Sequence, residues 1–310
     1  MIRPLLDAYG LDYLEMLPNQ RGLLRKALGV PINDILALRY ITRFRPDLII
    51  GRAAPYIAHA RVLTRTPYVI YEDTEVATIN LMLSLPFTPR ILVHTGYQLR
   101  LGPLIERKVV RVAAYKELAY LHPNWFTPDP SIRDDLGIGC DESVVMIRLS
   151  ARDSSHDYGV QGLPHAKRNL LPFVRRLEEH ARALITAEFK LPPGLEEYRA
   201  TIEPHRIHDL LAQLSLYIGE GSTMAAECGA LGIPWIFVSN QVRGQLDEME
   251  RRYGLGFRIG DRNAAVERAL EILQRPDLLA EWQRRRRRML SEKIDFVRYL
   301  VDLVVSYDAA

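Results

Sequence analysis

The chain has 310 residues, of which 48% are hydrophobic and 25% charged, and its formal net charge is +3. This length suffices for two domains of ordinary size, and the composition is typical of globular proteins. The small net charge argues against a nucleic-acid binder, and no apolar run reaches the ~18 residues of a membrane-spanning helix. Cys140 and Cys228 lack metal-binding spacing and suit a reducing cytosol, which predicts a cytoplasmic protein.

The first half of the chain alternates between predicted helices and strands. Residues 2–9 predict a helix and residues 12–16 a strand, whereas a doubly wound domain normally opens with a strand and a glycine loop. We therefore expect the first strand of this domain to be missing, through a misassigned start or a natural loss. Strands that alternate with helices imply a parallel sheet. The further predicted helices are 31–44, 56–63 and 76–85, and the predicted strands are 47–50, 68–71, 90–94 and 108–113.

Residues 115–130 interrupt this alternation with three prolines and several aromatic residues, which indicates a connection between two domains. A second alternation follows, and a helical tail ends the chain. We predict an N-terminal acceptor-side domain over 1–120, a nucleotide-sugar-binding domain over 121–290, and a C-terminal helix over 291–310 that crosses back to the first domain. The predicted strands of the second half are 143–149, 183–188, 216–218 and 234–238, and the helices are 166–181, 205–214, 223–231 and 244–253.

The stretch 214–239 organises the second half as strand, glycine turn, helix and strand. Gly219 and Gly221 bracket the turn, Ser222 is the expected N-cap of the helix, and Gly232 fits the left-handed position after its last turn. A helix that begins at a glycine turn presents free N–H groups and the positive end of its dipole, which favour a phosphate. The alternative is an ordinary βαβ unit.

Glu227 on the second turn of this helix, followed by Gly232 and Pro234, resembles the donor-binding element of GT-B glycosyltransferases. It is similar to the element of the lipid II N-acetylglucosaminyltransferase and of the non-hydrolysing UDP-GlcNAc 2-epimerases. The resemblance implies that Gly221, Ser222 and Thr223 face the diphosphate of the donor and that Glu227 takes the ribose hydroxyls.

Five further motifs resemble a family of uncharacterised, mostly archaeal, predicted glycosyltransferases: EDTE, YKELAYLHP, FTPDPSI, RLSARDSSHDYG and RGQLDEMERRYGL. The resemblance implies an α/β GT-B architecture, in which two doubly wound Rossmann-like domains face a cleft. It implies transfer of a sugar from a nucleotide-diphosphate donor, a UDP-sugar above all, to an unidentified acceptor, without a metal or other cofactor. A UDP-sugar 2-epimerase or hydrolase, and a nucleotide-sugar binder that has lost catalysis, remain as alternatives.

The epimerases carry the motifs Gly-Asp-Thr, Glu-Ala-Gly and His-Arg-Arg-Glu-Asn at three places, and each place can be compared with this chain. Gly51-Arg52-Ala53 has arginine where the first acid should be, Glu72-Asp73-Thr74 keeps an acid, and Ser150-Ala151-Arg152 has no histidine in register. Epimerisation needs paired acid and base groups, so the two changes favour a transferase.

Sugar transfer needs a base for the acceptor hydroxyl and positive charge for the leaving diphosphate. The catalytic candidates are Glu72 and Asp73, with an N-cap at Asp73 or Thr74 as the alternative, and His156, whose loop could instead be held by its own hydroxyl groups. Arg152 is the expected diphosphate clamp. The resemblance implies that residues 202–209, at the start of the second predicted helix of this half, hold the base of the nucleotide, and a capped helix start is the alternative. The substrate-binding candidates are Arg152, Ser154, Arg206, Ile207, Gly221, Ser222, Thr223, Glu227, Gln245 and Asp247.

The tail predicts two or three helices and contains five consecutive arginines, Arg284 to Arg288. A helix spreads five such residues around its whole surface, which fits a solvated helix. The alternative is contact with an anionic membrane surface on the inner face, where a lipid-linked acceptor would lie. The last helix is expected to pack through Ile294, Val297, Leu300, Val301 and Val304.

Overall fold

The computed structural model describes residues 2–16, 23–75, 78–149, 170–187 and 189–307. The chain divides into two compact units. The four-stranded unit comprises Tyr9–Tyr115 and Asp295–Ala310, and the five-stranded unit comprises Met1–Ala8 and Lys116–Ile294.

Helices and strands alternate in both units. In chain order the strands are β1 (Ile49–Gly51), β2 (Tyr68–Glu72), β3 (Arg90–His94), β4 (Val109–Val112), β5 (Val144–Leu149), β6 (Arg182–Ala187), β7 (Leu216–Gly219), β8 (Trp235–Phe237) and β9 (Gly256–Arg258). The helices are α1 (Ile2–Ala8), α2 (Leu23–Phe44), α3 (Pro55–Thr64), α4 (Thr78–Ser84), α5 (Pro103–Glu106), α6 (Leu118–Leu121), α7 (Ile132–Asp135), α8 (Leu170–Glu178), α9 (Ile207–Leu211), α10 (Ser222–Leu231), α11 (Gly244–Glu248), α12 (Arg262–Leu273), α13 (Leu278–Glu292) and α14 (Phe296–Val305).

The four-stranded unit has one parallel sheet in the order β1-β2-β3-β4. The run Tyr68–Glu72 is buried along its whole length, as expected for a parallel strand that is covered on both faces. Parallel register brings Gly51, Glu72 and His94 to the same edge of the sheet, because each is the last residue of its strand.

Helix α2 packs on α3 through small and branched side chains, with Ala37 and Ile41 against Ala60. The strand predicted over 12–16 is wrong, since these residues adopt no regular structure. Instead, Met16 packs against this same cluster, and the Glu15 carbonyl oxygen accepts a hydrogen bond from a tyrosine hydroxyl of α2 rather than from a strand. The alternation of polar and apolar residues over 12–16 therefore reflects contacts with the helices α2 and α3 rather than a strand.

The five-stranded unit has a parallel sheet in the order β6-β5-β7-β8-β9. From β5 the chain moves outward to β6, and from β7 it moves in the opposite direction to β8 and β9. The direction of winding therefore reverses between β5 and β7, and such a reversal leaves a crevice at the carboxyl ends of the two strands. The strand β9 is not predicted by the sequence pattern.

Helix α10 follows β7 directly, as the glycine pattern predicts. Gly232 ends it with φ +74°, so the predicted left-handed residue is confirmed. The predicted N-cap is wrong: the capping position falls on Gly221, and Ser222 is the first helical residue. Glycine has no side chain with which to cap the N–H groups of the first turn.

The helical tail consists of α12, α13 and α14. The predicted packing stripe of α14 is wrong, because Val301 and Val304 are exposed whereas Phe296 and Leu303 are buried. The Phe296 ring lies 4.8 Å from the ring of Tyr71 on β2, within the four-stranded unit.

The arginine run lies on α13, where Arg284, Arg287 and Arg288 are exposed as expected for a solvated helix, whereas Arg285 and Arg286 are partly buried. Arg285 pairs with Glu281 and donates to the Gly254 carbonyl oxygen, while Arg286 donates to the Ala230 carbonyl oxygen at 2.8 Å. Two of the five arginines therefore hold other elements of the five-stranded unit.

Candidate functional site

The carboxyl ends of β5 and β7 form the centre of the candidate donor site, because the winding of the five-stranded sheet reverses there. Arg148 of β5 and Gly219 of β7 are neighbours in register. The chain leaves β7 through the turn 219–221 into α10. Any residue that follows either strand thus starts from the same edge of the sheet.

The turn 219–221 is packed so closely at its first residue that a side chain would not fit at Gly219. A Cβ atom on Gly219 would lie 2.7 Å from Cβ of Arg148 and 2.8 Å from the Tyr217 hydroxyl oxygen. That hydroxyl donates to the Gly221 carbonyl oxygen at 3.1 Å, which fixes the turn from below. The backbone of Gly221, together with Ser222 and Thr223, is therefore held at the N-terminal end of a ten-residue helix, where an anion is favoured.

Glu227 is buried one turn further along α10. Its Oε1 accepts a hydrogen bond from the Tyr120 hydroxyl at 3.0 Å and lies 3.1 Å from Nε2 of His208. The Tyr120 and His208 rings lie 5.2 Å apart. Both contacts go to the same oxygen atom, so the carboxylate is fixed in orientation while Oε2 makes no hydrogen bond to the described residues.

Arg206 and Ile207, the expected base-binding pair, lie at the start of α9. The Arg206 guanidinium is bonded to the carboxylates of Asp135 at 2.7 Å, Asp129 at 3.1 Å and Asp209 at 3.4 Å. Its side chain therefore ties the start of α9 to residues 129–135. A role toward a nucleobase would fall to the backbone around Ile207.

Gln245 and Asp247, the expected contacts to the donor sugar, are buried on α11. Gln245 Nε2 donates to Oε2 of the buried Glu117 at 2.5 Å, and Asp247 Oδ1 lies 3.0 Å from Nε of Arg258 on β9. These contacts fix α11 against two other elements of the five-stranded unit.

The carboxylates of the four-stranded unit gather around Arg52, at the ends of β1 and β2. The Arg52 guanidinium lies 3.0 Å from Oε1 of Glu72 and 3.0 Å from Oδ1 of Asp73. Glu72 Oε1 also accepts from the backbone N–H groups of Asp73 and Thr74, both at 3.1 Å. Burial raises the pKa of Glu72, although the neighbouring Arg52 lowers it.

The loop that carries Arg52 is tied to the next strand. The Tyr68 hydroxyl donates to the Arg52 carbonyl oxygen, and the Ala54 N–H donates to the same hydroxyl at 3.2 Å. These two hydrogen bonds hold the backbone on either side of Arg52, whose guanidinium pairs with Glu72 and Asp73.

Three predicted residues, Arg152, Ser154 and His156, lie outside the described residues. Conversely, sequence reasoning missed Tyr120 and His208, which are separated from Glu227 by 107 and 19 residues. Tyr120 falls within YKELAYLHP, a motif that we assigned to the family resemblance without a role for its second tyrosine. No spacing rule connects it to α10.

Solved structures of similar fold include the UDP-GlcNAc 2-epimerase of Neisseria meningitidis bound to UDP-GlcNAc, with 10% identity and a TM-score of 0.67, covering 99% of this chain and 89% of that one. The UDP-GlcNAc 2-epimerase of Methanocaldococcus jannaschii has 11% identity and a TM-score of 0.62, with coverage of 98% and 89%. A glycosyltransferase of Streptomyces sp. SF2575 has 11% identity and a TM-score of 0.53, with coverage of 97% and 88%. The chain has a GT-B-like α/β fold.

At these identities the likeness establishes the fold alone. No family model matches the chain, and no curated protein matches it significantly. Among the described helices, none combines the length and the apolar composition that a membrane crossing requires.

Proposed function

We propose that the five-stranded unit binds a nucleotide-diphosphate sugar, with UDP as the nucleotide, and that the protein transfers the sugar to an acceptor. The observation that carries this proposal is the arrangement at the reversal of the five-stranded sheet. There a closely packed glycine turn, the N-terminus of α10 and an oriented Glu227 lie in sequence on one element. The turn would bind the diphosphate, and Oε2 of Glu227 would accept from the ribose.

The transfer that we propose is a direct displacement. The acceptor hydroxyl oxygen forms a bond to the anomeric carbon, the bond from that carbon to the diphosphate oxygen breaks, and UDP leaves with the electron pair. The acceptor proton passes to a carboxylate, for which we propose Asp73. Glu72 is the less suitable base, because its Oε1 already accepts from Arg52 and from two backbone N–H groups.

Arg52 also supports transfer over 2-epimerisation. Removal and return of a proton at the sugar requires two groups that exchange protons at neutral pH. Here Arg52, whose guanidinium lies 3.0 Å from both Glu72 and Asp73, stands where the epimerase pattern has its first acid, and an arginine does not exchange protons at neutral pH.

Ligand binding is tested first, by thermal unfolding of the purified full chain with UDP, other nucleotides and a panel of nucleotide sugars. A ligand at 100 times its dissociation constant adds about 2.7 kcal/mol to the free energy of unfolding. We expect a stabilising shift with UDP and with at least one UDP-sugar, and its loss in Glu227→Gln. If neither UDP nor any nucleotide sugar stabilises the chain, the donor site does not exist.

Catalysis is tested separately by Asp73→Asn, with Asp34→Asn as the matched control. Asp34 also lies in the four-stranded unit, and its carboxylate contacts His59 Nδ1 at 3.2 Å. Loss of a general base typically slows a reaction about 10²–10⁴-fold, so we expect Asp73→Asn to slow UDP release by that factor in the presence of soluble and lipid-linked acceptors, while the affinity for the UDP-sugar is retained. Unchanged release would remove Asp73 from the mechanism, and formation of a C2 epimer instead of a transfer product would favour the epimerase.

A further inference from the structure

The outward faces of α3 and α4 and of the adjoining turn 85–87 expose large apolar side chains. On α4, Leu81 is fully buried whereas Met82 is 71% exposed, so this short helix is apolar on both of its faces. On α3, Ala58 and Ala60 face the core whereas Leu63 is 73% exposed. We call the set the α3–α4 surface, which consists of Val62, Leu63, Ile79, Met82, Leu83 and Phe87.

These side chains belong to one continuous surface. Helix α3 contacts both α4 and the turn 85–87. The His59 ring on the outward face of α3 meets the Phe87 ring edge to face, at 5.2 Å between ring centres. Arg61 donates to the Phe87 carbonyl oxygen at 3.0 Å and fastens the turn to the helix. Single exposed apolar residues are common, but a contiguous group of this size marks a surface that contacts something apolar.

The charges around the α3–α4 surface are basic. Residues 48–71 and 76–105, which supply all of it, contain no aspartate or glutamate. Arg61 and Arg65 lie on and just after α3, and Lys108 Nζ donates to the Leu85 carbonyl oxygen at 3.2 Å. The Asp34 carboxylate on α2 approaches this region and lies 3.2 Å from His59 Nδ1.

We propose that the α3–α4 surface docks the protein onto an anionic lipid bilayer. A membrane of this kind offers an apolar layer for Met82 and Leu83 beneath a negative surface that attracts Arg61, Arg65 and Lys108. A second copy of the chain fits less well, because a two-fold interface would bring the same basic residues of both copies together, with Asp34 as the one carboxylate described near the surface. The proposal does not depend on the donor site.

This surface is distinct from the arginine run of α13. Arg285 and Arg286 are bonded to carbonyl oxygen atoms inside the five-stranded unit, and Arg288 lies 3.5 Å from Glu292. The run also lacks a neighbouring cluster of exposed apolar side chains, apart from Leu279 at the start of the helix, within the part of the chain that the structure describes.

The experiment is co-sedimentation of the full-length protein with vesicles of phosphatidylcholine alone or with phosphatidylglycerol. We expect binding at least about tenfold stronger to the anionic vesicles, weakened by high salt. The double variant Leu63→Glu/Met82→Glu should lose this binding. The charge-matched control Leu279→Glu/Val301→Glu, which changes exposed apolar residues outside the surface, should retain it, and so should Arg284→Glu/Arg287→Glu.

Failure to bind anionic vesicles, or an equal loss in either control, would overturn the proposal. The proposal would also be overturned if the wild type did not bind vesicles but formed a dimer in light scattering, and if Leu63→Glu/Met82→Glu converted this dimer to a monomer. That result would identify a second copy of the chain as the occupant of the surface. The variant Leu83→Trp guards against misfolding, because it keeps an apolar side chain. Brominated lipid should quench the fluorescence of the tryptophan introduced at position 83, more than it quenches the three native tryptophans of the unmodified chain. Equal quenching in Leu83→Trp and in the unmodified chain would also contradict docking.

Discussion

The hydrogen bond from Tyr120 to Glu227 can be removed without changing the shape of the site, through Tyr120→Phe. In the structure the hydroxyl and His208 Nε2 both contact Oε1 of Glu227, at 3.0 and 3.1 Å. Loss of the hydroxyl leaves His208 as the single contact, so the carboxylate becomes free to rotate. The proposed ribose acceptor Oε2 then loses its fixed position.

The size of the effect follows from the bond and from its exposure. A hydrogen bond to a charged group contributes about 1.5–3 kcal/mol. Because Tyr120 is 36% exposed and water competes for its hydroxyl, we assign a contribution of about 1 kcal/mol to this hydrogen bond. That energy corresponds to an affinity for UDP that is about fivefold weaker. 2′-Deoxy-UDP has one hydroxyl fewer to donate to Glu227, so Tyr120→Phe should weaken its binding less than the binding of UDP. The preference of the protein for UDP over 2′-deoxy-UDP should therefore become smaller.

Isothermal titration with both nucleotides measures this preference, and Tyr253→Phe is the matched control. The Tyr253 hydroxyl also donates to a glutamate, Glu292, at 3.1 Å in the same unit, so both variants should lose a similar amount of stability. Only Tyr120→Phe should change nucleotide affinity. Tighter UDP binding in Tyr120→Phe would show that the hydroxyl competes with the ribose, and an equal loss for both nucleotides would show that it does not act through Glu227.

Three further predictions concern stability. Gly232→Ala should lower the free energy of unfolding, measured in urea, by about 2–4 kcal/mol. The φ of Gly232 is +74°, and the new Cβ would lie 2.7 Å from Nε2 of Gln283, which donates to two carbonyl oxygens at this helix end. Because the pKa of Glu72 is raised in the folded state, its contribution to stability is present at low pH and is lost as pH rises through that pKa. The stability of the wild type relative to Glu72→Gln, measured by urea unfolding, should therefore fall as pH rises above about 4.3, the ordinary pKa of a glutamate. Arg206→Gln should lower Tm, because Asp135 and two other carboxylates are then left to repel one another. The difference in Tm from the wild type should become smaller at high salt, since salt screens this repulsion.

Each of these predictions has a result that contradicts it. A cost below about 1 kcal/mol for Gly232→Ala would mean that the helix end relaxes at once. A relative stability of the wild type that grows with pH would reverse the sign assigned to Glu72. A Tm difference for Arg206→Gln that is independent of salt would point to lost packing of the arginine stem rather than charge repulsion.

The sequence predicts most of the elements that build the candidate site, because the physical causes are local. The apolar run of β2, the glycines around α10 and the left-handed residue Gly232 each depend on residues within one or two turns. The N-cap was misplaced by one residue, since Ser222 entered the helix and Gly221 took the cap. β9 was missed because Gly256, which weakens a strand pattern, is required there: a Cβ would lie 2.1 Å from the Trp235 ring.

The contacts that orient the site could not be predicted in the same way. Gln245 bonds Glu117 across 128 residues, and Tyr120 bonds Glu227 across 107. Neither pair has a periodicity or spacing that links its members, so only the folded chain brings them together. The same limit applies to Arg52, whose replacement of an acid was visible in the sequence although its pairing with Glu72 was not.

The arginine run shows how packing reassigns a conspicuous sequence feature. Arg286 is partly buried, which lowers its pKa, and it donates to the Ala230 carbonyl oxygen near the C-terminal end of α10. Gln283 of the same helix donates to the next two carbonyl oxygens, of Leu231 and Gly232. A cation at this end is where the helix dipole is negative. Helix α13 therefore fixes the C-terminal end of α10 and offsets its negative pole. The positive pole begins at the glycine turn, where the N-cap residue Gly221 has no side chain to bond the N–H groups that we propose for the phosphate.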